Sequence, residues 1–236
     1  MPAILHIHGG GYISGDAEFM EPWHRRLARQ TGAVIVSVNY RLAPETKFPG
    51  AVEDCYAALS FLHREASRLS VDAGRIGLMG ESAGGGLAAG LALLARDRAE
   101  YHVRFQHLIY PMIDDRTCVR TDLSLKVGEF LWTPAYNRFG WESLLDTAPG
   151  SDGVSPYAAA ARAADVSRLP PTFLSTGALD LFVDENLEYA RRLLQAGVPT
   201  ELHVYPGAYH AFDCEPRAKI AEAARRDSLL ALKRAL

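Results

Sequence analysis

A short segment rich in small residues, Gly80-Glu81-Ser82-Ala83-Gly84, stands between an apolar run and a stretch rich in alanine and leucine. The run predicts a strand over 75–80 and the stretch predicts a helix over 83–96, so the chain turns sharply at Ser82. Small residues on both sides let such a turn form without clashes and let the helix pack closely on the sheet. The segment therefore constrains the chain to an architecture in which a helix follows a strand directly.

The rest of the chain alternates short β-branched runs with longer amphipathic patterns. This alternation is typical of the α/β class, in which a mostly parallel sheet carries helices on both faces. We predict a single α/β domain over 1–236 with about six strands flanked by helices. A short amphipathic helix and a cap or lid are expected over 114–169, where the alternation breaks. The predicted strands lie at 3–8, 33–39, 75–80, 105–110, 172–176 and 201–205, and the predicted helices lie near 21–30, 52–67, 83–96, 184–196 and 217–236.

The composition argues against several classes of function. The 236 residues carry a formal net charge of −3, which does not favour a polyanionic partner such as nucleic acid. No apolar stretch approaches the roughly 20 residues that a membrane helix needs, and no signal-peptide pattern is visible. The three cysteines form no CxxC pair, which favours reduced thiols and a cytoplasmic location. We expect no membrane partner.

A serine at the predicted turn needs a base and an acid before it can act as a nucleophile. His210 lies in the loop after the last predicted strand, and Asp180 lies just past the strand before it. The chain order serine, aspartate, histidine is that of triads on α/β sheets, and all three positions fall at carboxyl ends of strands. We therefore predict a catalytic triad of Ser82, Asp180 and His210. Asp184 and Glu185 are rival acids, but they are expected to serve the first turn of the following helix.

The segment His8-Gly9-Gly10-Gly11 ends the first predicted strand and supplies the second part of the expected site. A tetrahedral oxyanion needs preformed N–H donors, and a glycine loop can provide them. The predicted donors are the backbone amides of Gly9, Gly10 and Ala83. We expect His8 to hold this loop through a hydrogen bond. No third ligand at zinc spacing accompanies His6 and His8, so no metal is predicted; surface or helix-face positions are expected for His24, His63, His102, His107 and His203.

Motifs along nearly the whole chain resemble those of the bacterial hormone-sensitive-lipase-like esterases, also called family IV, within the α/β-hydrolase fold. The resemblance implies a cofactor-independent serine carboxylesterase that acts on short- to medium-chain acyl esters, with its triad on Ser82, Asp180 and His210. The chain carries Glu81 where the family usually has Asp, and Leu181 where it usually has Pro. The motifs are His8-Gly9-Gly10-Gly11-Tyr12, Tyr40-Arg41-Leu42-Ala43-Pro44-Glu45, Phe48-Pro49-Gly50-Ala51 with Asp54, Gly80-Glu81-Ser82-Ala83-Gly84-Gly85, Ser155-Pro156, Leu179-Asp180 with Asp184-Glu185, and His210-Ala211-Phe212.

Family members normally carry cap helices and two strands before the glycine-loop strand, whereas this sequence begins almost on that strand. The resemblance therefore implies a reduced cap, with 114–169 as its remaining part, and a more open pocket. It also implies that the strand at 33–39 is an exposed edge, which invites pairing with another chain. We expect a homodimer through this edge or a poorly behaved monomer; a truncated sequence is the alternative explanation.

The substrate itself is not specified by these motifs. The same triad serves amide and formamide hydrolases and carbohydrate deacetylases, because fold and triad do not fix the leaving group. A non-catalytic ligand-binding module on this scaffold is a third reading, which His210 opposes because plant hormone receptors that resemble this family have lost the catalytic histidine. The side chains predicted to contact a small-molecule ester are Tyr12, Glu81, Phe130, Trp132, Tyr209 and Phe212.

Overall fold

The structure, a computed structural model, describes residues 1–124 and 126–236; Leu125, in the predicted cap segment 114–169, lies outside the described residues. Within these ranges, six strands form one parallel sheet in the order β2-β1-β3-β4-β5-β6. Each strand lies within one residue of its predicted bounds at either end. The strands are β1 (Ala3–Ile7), β2 (Val34–Val38), β3 (Ile76–Glu81), β4 (Phe105–Ile109), β5 (Thr172–Gly177) and β6 (Thr200–Tyr205).

The helices pack against this sheet and include every helix that the sequence predicts. Gly197, with a φ of 77°, takes the left-handed conformation just after the fifth helix, as a glycine beyond a helix end commonly does. The fourth helix is the amphipathic one expected within 114–169, and it begins at Pro134, where a missing N–H costs nothing. The α-helices of the described ranges are α1 (Glu21–Thr31), α2 (Gly50–Arg64), α3 (Ala83–Arg98), α4 (Pro134–Leu144), α5 (Val183–Gln195) and α6 (Lys219–Ala235).

Apolar side chains cover both faces of the sheet. The larger cluster packs α2, α3 and α5 against one face, and the smaller one packs α1 and α6 against the other. Ile4 and Leu5 of β1 enter different clusters because successive strand residues point to opposite faces. Burial on both faces is what a parallel sheet requires, and it explains the nearly continuous apolar runs of the central strands. Across the described residues, no helix is both long and apolar enough to span a membrane.

The parallel arrangement brings the functional segments to one edge of the sheet. All six strands point the same way, so their carboxyl ends lie together. The glycine loop follows β1, Ser82 follows β3, Asp180 follows β5 and His210 follows β6. Binding sites of open α/β sheets are expected at this edge.

Candidate active site

Ser82 lies in a strained turn between β3 and α3. Its φ of 54° and ψ of −122° form a conformation that a non-glycine residue keeps only when its surroundings enforce it. A Cβ on Gly80 would collide with the Gly84 carbonyl, and a Cβ on Gly84 would collide with the carbonyl of Ile7. The two glycines thus let the turn close and let α3 approach the end of β1, so the serine hydroxyl is presented at the edge of the sheet.

The three residues predicted as a triad meet in hydrogen-bonding order. Ser82 Oγ lies 2.8 Å from His210 Nε2, and His210 Nδ1 lies 2.8 Å from Asp180 Oδ2. Asp180 is fully buried, and its other oxygen accepts a hydrogen bond of 2.9 Å from the backbone N–H of Phe182. An ionised carboxylate can only accept, so Nδ1 carries the imidazole proton and Nε2 is free to accept from the serine hydroxyl. This is the tautomer that a general base at Nε2 requires.

Aromatic side chains enclose the imidazole of His210. The edges of Tyr110 and Phe182 approach it with ring centroids at 4.8 and 5.2 Å, and Trp132 lies at 6.2 Å. Tyr110 also donates a hydrogen bond of 2.7 Å to Asp213, a carboxyl whose pKa burial raises above its ordinary value. Tyr110 and Phe182 were not predicted, because Tyr110 directly follows a strand, Phe182 lies two residues after Asp180, and neither carries a signal of its own. They shield the imidazole from water and restrict its rotation.

The glycine loop lies against the serine turn. A Cβ on Gly9 would be 3.4 Å from the Cβ of Ser82, so only a residue without a side chain fits comfortably beside the nucleophile turn. Gly10 has a φ of 116°, and its carbonyl accepts from the N–H groups of Ile13 and Ser14, which closes a turn in the loop. Ala83 is the first residue of α3, where a helix N–H has no partner within the helix. The three predicted amides therefore belong to segments that adjoin Ser82.

His8 holds the glycine loop by the hydrogen bond that the sequence predicts. Its Nδ1 lies 2.8 Å from the carbonyl oxygen of Gly9, and its ring stacks on that of Tyr40 with centroids 4.3 Å apart. Tyr40 in turn donates a hydrogen bond of 2.8 Å to the His8 carbonyl. Burial lowers the pKa of His8, which favours the neutral imidazole and a donor at Nδ1. Tyr40, from the Tyr40–Glu45 motif, thus stabilises the glycine loop through its hydrogen bond and its ring contact with His8.

Three of the aromatic residues predicted to contact substrate lie beside His210 or beside its neighbour Tyr209. Trp132 packs on the glycine loop, since a Cβ on Gly11 would collide with its indole. Phe130 is half exposed, and its ring centroid lies 5.7 Å from that of Tyr209, the neighbour of the triad histidine. These side chains are well placed for substrate contact, which stays a prediction.

The other three predicted substrate contacts have different surroundings. Tyr12 is fully buried, donates to the carbonyl of Met112 and packs in the larger core cluster. Phe212 is buried in the smaller cluster, because the chain turns back onto the sheet after His210. Glu81 directs its carboxylate to His6 of β1 instead of a pocket. Tyr12 and Phe212 are therefore core residues, and Glu81 has a protein partner.

The rival acids are engaged elsewhere. Glu185 is buried on α5 and accepts hydrogen bonds of 2.8 and 3.2 Å from the N–H groups of Ile113 and Asp114. Asp184 forms an ion pair of 3.1 Å with Arg120. Glu185 was expected to serve the first turn of its helix, but its carboxyl instead ties α5 to the segment after β4. Asp180 is the acid that reaches His210.

The histidines of β1 do not form a metal site with each other. His6 and its neighbours His24 and Glu81 bond in series, and the described residues contain no group of three or more His, Cys, Asp or Glu side chains arranged to hold a metal ion. His24, expected on a helix face, is nearly buried, and His107, expected at a surface, is fully buried on β4. Both point inward because the sheet is covered on both sides.

This geometry agrees with comparisons to known proteins. A protein-family model described as the α/β-hydrolase fold matches residues 4–214. The chain belongs to this family. Within the α/β-hydrolase family, the chain belongs to the hormone-sensitive-lipase-like branch, as the sequence motifs indicate.

Individual members of the α/β-hydrolase family are similar over 91–100% of the chain. Carboxylesterase NlhH of Mycobacterium tuberculosis is 37% identical, with 100% of this chain and 74% of that protein covered. The arylesterase of Saccharolobus solfataricus is 33% identical, with 91% and 69% covered. A solved structure of a bacterial heroin esterase superposes with a TM-score of 0.95 at 45% identity, covering 100% of this chain and 75% of that one.

Proposed function

We propose that this α/β-hydrolase is a serine carboxylesterase that cleaves short- to medium-chain acyl esters through an acyl-enzyme on Ser82. The ester-hydrolase class rests on the family and on relatives that are named carboxylesterase, arylesterase and esterase. The residue assignments rest on one observation, the hydrogen bonds that run from Asp180 through His210 to Ser82.

The proposed reaction begins with attack of Ser82 Oγ on the ester carbonyl while His210 Nε2 takes the hydroxyl proton. Asp180 keeps the other imidazole proton on Nδ1 and stabilises the imidazolium that forms. The alcohol then leaves with the proton from His210, and the acyl group remains on the serine. A water molecule repeats the sequence on the acyl-enzyme, releasing the carboxylic acid and restoring Ser82.

The proposed oxyanion hole consists of the backbone amides of Gly9, Gly10 and Ala83. The Gly9 backbone lies beside Ser82, and Ala83 lies at the positive end of the α3 dipole, where negative charge is favoured. Removing one such donor typically costs about 3 kcal/mol of transition-state stabilisation. The nearly complete burial of Ser82 and His210 supports a large electrostatic contribution, because few waters compete for the oxyanion.

The proposed preference for short to medium acyl chains rests on the residues around the triad. Trp132 lies over Gly11 and near His210, so its large indole ring limits the space beside the scissile bond. Trp132 precedes α4, which is itself packed against the glycine-loop residue Tyr12 through Trp141 at a centroid distance of 5.2 Å. We propose that 1–236 forms one catalytic domain, in which 114–169 acts as a partial cap.

Initial rates with p-nitrophenyl acetate, butyrate, octanoate and dodecanoate test this proposal. We expect turnover to peak at the shorter chains and to fall to the background rate in Ser82→Ala. Ser228→Ala is the matched control, because it removes a half-buried hydroxyl that bonds to His107 and takes no part in the proposed reaction. Undiminished turnover in Ser82→Ala would overturn the nucleophile assignment, and fastest turnover of dodecanoate would overturn the chain-length preference.

We also propose that two copies associate through β2 and that the protein resides in the cytoplasm. β2 lies at one end of the sheet and has the uncharged sequence Val34-Ile35-Val36-Ser37-Val38, four residues of which are only half-buried. β6, at the other end, carries Glu201 and His203. Charged side chains discourage strand pairing at an edge, so β2 is the edge that favours it. All three cysteines are free thiols, which supports a reducing compartment.

A further inference from the structure

A buried series of hydrogen bonds leads away from Glu81, the residue before the proposed nucleophile. Its two carboxylate oxygens lie 2.9 and 3.0 Å from Nε2 of His6, a fully buried residue of β1. Nδ1 of His6 lies 2.9 Å from Nε2 of His24 on α1 and 3.3 Å from the hydroxyl of Ser37 on β2. The series therefore joins the nucleophile turn to two other strands and to a helix.

The chemistry of these groups fixes part of the proton arrangement. The Glu81 carboxylate can only accept, so Nε2 of His6 carries a proton. Burial lowers the pKa of His24 to about 4, so His24 is neutral near neutral pH. A neutral imidazole has one donor and one acceptor nitrogen, so His24 can share a single proton with His6 in their hydrogen bond. Trp23 covers both imidazoles, with ring centroids at 5.2 and 5.4 Å. The indole limits access of water to these two rings, and the Glu81 carboxylate, whose side chain is 13% exposed, has His6 as its hydrogen-bonded side-chain partner.

The backbone of Glu81 lies between the two halves of the active site. It is bonded directly to Ser82, whose positive φ must be enforced by its surroundings. Its carbonyl oxygen would lie 3.0 Å from a Cβ on Gly9, so the glycine loop rests against this peptide. A shift of Glu81 therefore changes the distance between Ser82 and the predicted oxyanion donors.

We propose that Glu81 is a positioning residue whose carboxylate is anchored by His6 and His24, which holds Ser82 and Gly9 at the spacing that the oxyanion requires. This inference rests on the proposed function, since it takes Ser82 as the nucleophile. It assigns Glu81 no contact with the substrate. The Glu81 side chain places both carboxylate oxygens within 3.0 Å of the His6 imidazole on β1.

Two variants of His6 separate this role from a merely structural one. The amide nitrogen of glutamine reaches about as far as Nε2 of histidine, so His6→Gln keeps a donor for Glu81. Asparagine reaches only as far as Nδ1, so His6→Asn keeps a polar group beside His24 but leaves Glu81 without its donor. We expect His6→Asn to lower kcat for p-nitrophenyl acetate roughly 10- to 100-fold with little change in KM, the cost of a displacement of about 1 Å. His6→Gln should retain a kcat near that of the wild-type protein.

The matched control is His107→Asn, which truncates an equally buried imidazole that bonds at 2.7 Å to Ser228. It should lower the unfolding temperature without lowering kcat. Equal kcat in the two asparagine variants, or loss in His6→Gln equal to that in His6→Asn, would overturn the inference. A rise in KM with unchanged kcat would do so too, because it would indicate that Glu81 binds substrate.

A second route covers the case in which His6→Asn fails to fold. Glu81→Asp keeps the charge but shortens the arm by one methylene, so the carboxylate withdraws from His6. It should show the same selective loss of kcat, and a wild-type kcat in this variant would overturn the inference. Absence of turnover in the wild-type protein would overturn the proposed function, and this inference with it.

Discussion

At Asp180, two hydrogen bonds decide which nitrogen of His210 carries the proton. One carboxylate oxygen accepts from the Phe182 N–H and the other from Nδ1 of His210. In Asp180→Asn, the amide oxygen keeps the hydrogen bond from the Phe182 N–H, so the NH₂ group faces Nδ1 of His210. Because an NH₂ group donates, it favours the tautomer with the proton on Nε2, which cannot accept the proton of Ser82. We expect kcat for p-nitrophenyl acetate to fall about 10³- to 10⁴-fold. Asp184→Asn, at the exposed ion pair with Arg120, should leave kcat unchanged, and a loss below tenfold in Asp180→Asn would contradict the assignment.

The triad was predictable from the sequence because each member lies beside a local motif at the end of a strand. The partner of Glu81 was not, because His6 is 75 residues away in sequence and only the pairing of β1 with β3 brings the two together. Tyr12 and Phe212 were predicted to contact substrate because each lies beside a motif of the site. An aromatic side chain beside a motif has the same sequence pattern whether it faces a pocket or the core, and only the path of the backbone distinguishes the two.

Among the elements, a buried carboxyl group helps to tie α5 to the loop after β4. Glu185 accepts from the N–H groups of Ile113 and Asp114 and contacts the hydroxyl of Thr117. Burial raises the pKa of Glu185 well above its ordinary value of 4.5, and the charge of Asp114 adds to this effect. The folded protein thus keeps a proton that the unfolded chain releases. The group's contribution to stability is full below pH 4.5 and is lost as the pH rises through the raised pKa.

Glu185→Gln removes this titration while keeping an acceptor for the two backbone N–H groups. We expect the variant to gain unfolding free energy relative to the wild-type protein as the pH rises above 4.5, by up to about 1.4 kcal/mol per pH unit. Glu185→Ala leaves buried donors unpaired and should lose about 1–3 kcal/mol per donor. Urea unfolding at a series of pH values measures both effects. A difference between Glu185→Gln and the wild-type protein that does not vary with pH would contradict the neutral buried carboxyl.

For the molecule as a whole, periodicity predicted the strands and helices but not their arrangement. The bounds of β1 to β6 follow from local apolar runs, which turn residues and amphipathic helices delimit on both sides. The order of the strands and the burial of His107 depend on which strands neighbour each other, and local patterns do not contain that information. The alternation of strand and helix patterns predicted the α/β class, the resemblance implied the α/β-hydrolase fold, and the structure added the buried polar contacts that hold the site.

The edge of the sheet at β2 carries the prediction about assembly. Its exposed N–H and C=O groups stand beside half-buried valine and isoleucine side chains, so a second copy can extend the sheet and cover them. We expect a concentration-dependent dimer in sedimentation velocity. A lysine in the middle of this edge should abolish association, because two copies would place like charges together. Val36→Lys tests this, with Val34→Lys as a second variant, and circular dichroism verifies that each remains folded.

Val204→Lys is the matched control, since Val204 lies on β6 at the opposite end of the same sheet. It adds the same charge to an edge strand that already carries Glu201 and His203, so it should leave the dimer intact. A wild-type protein that stays monomeric at all concentrations would contradict pairing through β2. Equal loss of association in the β2 and β6 variants would do so as well, because net charge rather than the β2 edge would then control assembly.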